Sequence, residues 1–230
     1  MRSIRHLRSH WLIFSLILGW ATISWHIAHA TSIFVNEIHY DNSGADSGEG
    51  VEITGPAGTD LGGWRLIMYN GSTGSDYKTR ALNGIIPDQA NGFGTLAFLI
   101  PGIQNGSPDG LALVDASNSV IQFLSYEGSF TATSGPANGL ISSDIGLAES
   151  SGTPVGHSLQ LTGTGNQASD FSWTVSANTF GTINAGQTFA GTSGTQTSQP
   201  VPEPSSLIFL GSGLIGLYGY RQWIVRNRVP

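Results

Sequence analysis

Cysteine is absent from the chain and lysine occurs once, at Lys78. The first absence excludes a disulfide framework, a thiolate metal site and a cysteine nucleophile, so a folded core must supply the stability. Only 10% of residues are charged, which leaves little material for long, salt-bridged helices. Basic residues are scarcer still between the ends. From residue 31 to 200 only Arg65, Lys78 and Arg80 stand against fourteen Asp and Glu, a formal charge of −11. Such a segment repels phosphates, and nucleic acid is excluded as a direct partner. Histidine there is limited to His39 and His157, too few for a zinc site of three or four ligands. No G-x-S-x-G elbow occurs to carry serine hydrolase chemistry. Gly135-Pro136-Ala137-Asn138-Gly139 reads as a turn, because no Lys follows it as in a phosphate loop.

What is present is glycine, 32 residues of it, together with serine, threonine and asparagine. Between these turn formers lie short apolar and aromatic segments: IFVNEIHY (33–40), GVEITG (50–55), WRLIMYN (64–70), TLAFLI (95–100), LALVD (111–115), SVIQFLSYEG (119–128), HSLQLTG (157–163) and FSWTVS (171–176). Their length and their bounding Gly, Asn, Asp and Pro are strand signals. The fold class expected is all-β, an eight-stranded sandwich over residues 31–189. The period of two puts Trp64, Leu66 and Met68 on one face of their strand and Arg65, Ile67 and Tyr69 on the other. TLAFLI is apolar on both faces and reads as a central strand. With these, Phe123, Leu159, Leu161, Phe171 and Trp173 provide core enough for one domain.

The two ends have a different character. Residues 1–30 combine Arg2, Arg5 and Arg8 with an apolar run from Trp11 to about Ile23, and Ala28-His29-Ala30 fits a small-x-small cleavage site. This reads as a secretory signal peptide, with an uncleaved N-terminal anchor as the alternative. Residues 190–200, AGTSGTQTSQP, carry neither bulk nor charge and read as a flexible linker. From about 205 to 225 the chain is long and apolar enough for one transmembrane helix. Arg221, Arg226 and Arg228 would stop transfer and keep the extreme end in the cytoplasm. Just outside that span, Pro202 and Pro204 bracket Glu203 and hold the backbone extended.

Pro202-Glu203-Pro204, an apolar span and a short Arg-rich terminus, in that order, resemble the PEP-CTERM sorting signal, which covers residues 201–230. The resemblance implies an exosortase, a membrane transpeptidase-like enzyme, as processing partner. It also implies a membrane tether that is transient. A plain anchor would need no Pro-Glu-Pro.

A second resemblance covers some 155 residues. Val35-Asn36-Glu37-Ile38-His39-Tyr40-Asp41-Asn42, then Asp46 to Ile53 and Asp60-Leu61-Gly62-Gly63-Trp64-Arg65-Leu66, are similar to the bacterial lamin-tail domain. So are Ser158 to Leu161, Phe171-Ser172-Trp173 and Gly181 to Gln187. The resemblance implies an immunoglobulin-like β-sandwich with an interaction or structural role and transfers no catalytic residue. Gly50 departs from it where a bulky residue is usual, and Phe180 where a proline often precedes the glycine.

Glu37, Asp41, Asp46, Glu49 and Glu52 fall close together around the turn DNSGADSGEG. Oxygen density of this kind suits calcium, with Asp41, Asp46 and Glu49 as candidate ligands. The spacing is not that of an EF-hand, since position 6 of the loop is Asp46 where glycine is needed. Glu49 and Glu52 also lie on opposite strand faces, so the five cannot share one ion. The competing reading is a solvated acidic turn. Tyr40, Tyr69, Tyr77 and Tyr126 would make a carbohydrate platform if exposed, and part of the core if not.

The function expected is that of an exported, non-enzymatic binding or structural module of the cell surface or matrix. It would meet exopolysaccharide or envelope proteins. The alternatives are a metal-dependent extracellular hydrolase built on the acidic turn and a permanently membrane-anchored adhesin.

Overall fold

A computed structural model describes residues 32–190. All eight expected segments are strands: β1 (Phe34–His39), β2 (Gly50–Pro56), β3 (Arg65–Asn70), β5 (Phe93–Leu99), β6 (Asp109–Val114), β7 (Val120–Tyr126), β9 (His157–Gly165) and β10 (Phe171–Ala177). Three more join them: β4 (Ser75–Ala81), β8 (Ser143–Asp144) and β11 (Gln187–Phe189). The one helical element among the described residues is a 3-10 turn at Ala168–Asp170. The fold is all-β and sandwich-like. One sheet runs β10-β9-β1-β2-β5 with β11 beside β9, and the other runs β4-β3-β6-β7-β8.

The three unexpected strands escape notice for two reasons. β4, SDYKTRA, presents Asp76, Lys78 and Arg80 at a sheet edge. Charges there discourage pairing with another chain but erase the apolar alternation by which a strand is read. β8 and β11 have two and three residues, and their pairing is decided by what they lie against.

The main core lies between the sheets. Val35, Ile38, Val51, Ile53 and Leu159 of the first meet Leu66, Met68, Leu111, Leu113 and Tyr126 of the second. The alternation expected for β3 holds, but its other face is buried too. Ile67 and Tyr69 pack with Ala112, Val114 and Phe123 beneath Phe130, Ala132 and Ala137. A third cluster gathers Phe34, Phe93, Leu161, Phe171 and Phe189, with the Phe93 and Phe189 rings stacked at 4.7 Å. Phe123, Leu159, Leu161 and Phe171 are all buried, as expected of the core, while Trp173 is partly so.

One expectation is corrected. The segment read as a central strand, β5, is the edge of its sheet and, among the described residues, pairs with β2 alone. Phe98 faces the core, but Leu99 is 61% exposed. An apolar residue in an edge strand looks the same in sequence as one in a centre strand. The distinction is made by which strands arrive beside it.

Sequence-distant strand ends meet at two poles. Register places Phe34, Pro56, Phe93, Gly165 and Phe189 toward one pole, and His39, Gly50, Leu99, His157 and Ala177 toward the other. Strands of six or seven residues separate the poles by about 20 Å.

Candidate binding site

At the pole of His39 the chain forms an open pocket of about 350 Å³ lined by His39, Ser47, Gly48, Leu99, Val155, Gly156, Asn178 and Phe180. Five segments contribute: the end of β1, the β1–β2 loop, the end of β5, the residues before β9 and those after β10. Leu99 and Val155 are each more than 60% exposed on its walls. Phe180 reaches over Gly50, where an added Cβ would sit 3.2 Å from the Phe180 ring and 2.7 Å from the Phe98 carbonyl oxygen. The two positions that depart from the lamin-tail pattern are therefore neighbours in space, the small residue making room for the large one.

His39 is almost fully buried. Its Nδ1 lies 2.8 Å from Glu149 Oε1 and its Nε2 lies 3.0 Å from the Ser47 carbonyl oxygen. Two oxygen atoms face the two ring nitrogens, an arrangement that favours the protonated ring. Burial opposes that charge, but the hydrogen bond and charge of Glu149, with further help from Ser47 and Asn42, raise its pKa above the ordinary value. Glu149 also accepts from the Tyr40 and Asp41 amides, and its own amide donates to the Tyr40 hydroxyl at 2.7 Å. The Tyr40 ring stacks on Tyr126 at 3.8 Å. This network pins the segment around Glu149 to the end of β1 and gives the pocket a rigid floor.

Beside the pocket, the outer side of the first sheet is polar yet buried. Glu37 Oε1 accepts from the Ser158 hydroxyl (2.6 Å) and the Thr179 amide (3.0 Å), and Oε2 accepts from the Thr179 hydroxyl (2.8 Å). Glu52, paired opposite Glu37, accepts from Asn36 Nδ2 (2.9 Å) and the Gly181 amide (2.6 Å). Burial raises both carboxyls, and the Glu37 charge adds to the rise at Glu52, whose pKa is pushed up to about 8. Asn184 donates to the Asn36 and Leu161 carbonyls, and Gln187 exchanges bonds with the Asn36 amide. These contacts bind residues 178–189 as a strap across the sheet.

The acidic turn is organised from within. Asn42 is fully buried, donates to the Ser43 and Ala45 carbonyls, and accepts from the Ser47 amide at 3.0 Å. Asp41 and Asp46 are brought together. Partial burial and then the Asp46 charge raise the Asp41 pKa. Glu49 is turned away to accept from the Gly102 amide at 2.6 Å. Among the described residues no group of three or more His, Asp or Glu side chains is placed to hold a metal. Tyr40, Tyr69 and Tyr126 are buried and offer no face to a sugar, while Tyr77 is partly buried and packs against the core.

The other candidate residues, Ala28 and Ala30 of the expected signal peptide, Pro202-Glu203-Pro204, and Arg221, Arg226 and Arg228, lie outside the described residues. So does the apolar span 205–225, and among the described residues no helix is long and apolar enough to cross a membrane. Sequence reasoning missed Glu149, Val155 and Asn178. Glu149 is 110 residues from His39, and no local pattern joins them. For Phe180 there was a signal, its departure from the lamin-tail pattern.

The family comparison bears on the C-terminal segment. The family profile described as the PEP-CTERM protein-sorting motif matches residues 200–222. That motif marks the chain for export through an exosortase-type sorting system, with the exosortase-type enzyme as its processing partner. No curated protein and no solved structure matches the chain.

Proposed function

We propose that the protein is a non-enzymatic binding or structural module of the cell surface or extracellular matrix, its domain a lamin-tail-like, immunoglobulin-like sandwich. The leader is cleaved after Ala30, residues 205–225 tether the protein with its domain outside the cytoplasm, and the tail is removed at or near Pro202-Glu203-Pro204. Exopolysaccharide or envelope proteins are its partners. The observation that carries this reading is the sorting motif at 200–222 directly behind an all-β domain.

Intact-mass measurement of the protein recovered from producing cells tests the reading. The expected mature form lacks residues 1–30 and the segment from about 205 onward, and replacing Pro202, Glu203 and Pro204 together by alanine leaves the tail in place. A mature wild-type form that keeps Leu207 to Pro230 beside an active sorting enzyme would instead make it a permanently anchored adhesin.

A further inference from the structure

Between the end of β10 at Ala177 and the start of β11 at Gln187, residues 178–186 form an arc over the first sheet. Asn184 is the only buried side chain of that arc, and it is polar, while Phe180 and Ile183 are partly covered. Hydrogen bonds therefore do most of the holding, and they end on two carboxyls. Glu37 Oε1 accepts from three donors, the Ser158 hydroxyl, the Thr179 amide and Gln160 Nε2. Glu37 Oε2 lies 2.8 Å from Thr179 Oγ1. The Asn184 amide is oriented by its donor bonds to the Asn36 and Leu161 carbonyls, so its oxygen faces the same Thr179 hydroxyl, at 2.9 Å. A hydroxyl has one hydrogen and serves an ionised Glu37 and Asn184 only in turn. A proton on Glu37 Oε2 turns the first of these bonds round and satisfies every oxygen. Glu52 is paired opposite Glu37 and receives the Gly181 amide. Ionising both would set two like charges together out of water.

We propose that residues 178–186 are a proton-dependent latch: with Glu37 and Glu52 neutral the arc lies closed on the first sheet, and as they ionise it opens, carrying away the pocket walls Asn178 and Phe180. The other side chains bonded to the pair are neutral, namely Asn36 of β1, Thr95 of β5, Ser158 and Gln160 of β9 and Thr179 of the arc. Of the histidines on the neighbouring strands, His39 is engaged by Glu149 and Ser47, and His157 lies opposite Ala177. Closing takes both carboxyls out of water and raises their pKa, that of Glu52 to about 8. The closed form is thus favoured most below the ordinary 4.5 and loses that advantage as pH rises toward the closed-state value. Because Asn178 and Phe180 line the pocket, its shape follows the state of the pair.

The latch does not depend on which partner the domain meets, and its test is read on the strap itself. Amide hydrogen exchange of the full-length protein in detergent, corrected for intrinsic rates, measures the opening. Thr179 and Gly181 should be less protected than Ile38 and Leu159 at every pH, because the arc opens without the sheet. Their protection should fall about tenfold or more from about pH 6 to 8. In the double variant Glu37→Gln, Glu52→Gln the side-chain amides donate where the acid protons did, and strap protection should be the same at both pH values. In wild-type protein carrying isotope-labelled glutamate, infrared spectra should retain a protonated carboxyl band at about pH 6.5, where an ordinary Glu is ionised, and lose it over the range in which strap protection falls. That readout decides the matter if the double variant does not fold. Protection of the strap equal to that of Ile38 and Leu159 would mean that only global unfolding lifts it, and overturns the proposal. So does a pH course that persists in the double variant, and so does a wild-type spectrum without the band at about pH 6.5.

Discussion

His39 and Glu52 show how single buried charges tie this fold to pH. The His39–Glu149 pair is inaccessible to solvent, and removing one partner of such a pair leaves the other uncompensated, at a cost of about 3–5 kcal/mol. His39→Ala is therefore expected to lower unfolding free energy by about that amount at pH 6, measured by denaturant titration. Because the folded pKa of His39 is raised, the stability it contributes is fully present below about 6.5 and is lost as pH rises through the folded value. Glu52 acts in the same direction for a different reason. Between its ordinary 4.5 and about 8 the folded protein holds a proton that the unfolded chain has released. Stability then falls with rising pH, by at most about 1.4 kcal/mol per pH unit from this group. Glu52→Gln cannot ionise, and melting curves from pH 5 to 9 should show a shallower decline in the variant than in the wild type. An unchanged decline would assign the titration to another group, with Glu37 the first alternative.

At the scale of an element, β2 begins at the position where backbone and pocket are most tightly joined. Gly50 lies opposite Leu99 and beneath Phe180. A methyl group there meets a main-chain carbonyl at 2.7 Å, which cannot swing aside as a side-chain end can. Gly50→Ala is expected to cost about 1–3 kcal/mol, the usual range for overpacking. Phe180→Ala in the same chain should recover only part of that loss, since the carbonyl contact remains. Full recovery in a double-mutant cycle would place the whole strain in the ring. The strap of residues 178–189 is held differently, by hydrogen bonds. Asn184→Ala strands the carbonyls of Asn36 and Leu161 inside the protein, and each unsatisfied group costs about 1–3 kcal/mol. Loss of stability should appear together with faster amide exchange at Gly181 and Gln187, whose protection depends on the strap staying down.

The whole molecule is divided by charge. Six of nine basic residues sit in the terminal segments at positions 2, 5, 8, 221, 226 and 228. The removal of both segments proposed above would leave an acidic domain whose only lysine and arginine residues are Arg65, Lys78 and Arg80. Self-repulsion in such a domain opposes compactness and is screened by salt. Raising sodium chloride from 10 to about 200 mM should therefore increase the melting temperature of the mature form by roughly 2–4 °C, corresponding to about 1 kcal/mol. A flat or falling response would mean that attractive pairs such as His39–Glu149 dominate the field.

The sequence by itself determined what one segment can declare without the others. Turn formers around short apolar runs marked eight strands, because a strand's period and its bounding glycines are local. Pro202-Glu203-Pro204 ahead of an apolar run and arginines marked the sorting signal, because a processing enzyme reads it as a linear segment. Everything that depended on which segments come together was left to tertiary structure. That β5 is an edge, that the outer face of β3 is covered by Phe130 and Ala137, and that Glu37 and Glu52 are buried under residues 178–189 follow from strand order and from a strap over 120 residues away in sequence. The acidic turn illustrates the same limit. Its carboxylates are neighbours in the chain, but Glu49 finds the Gly102 amide and Asn42 takes the centre. Gly50 and Phe180 were each visible as departures from a pattern, yet their contact was not, since 130 residues separate them and only packing brings the ring over the glycine.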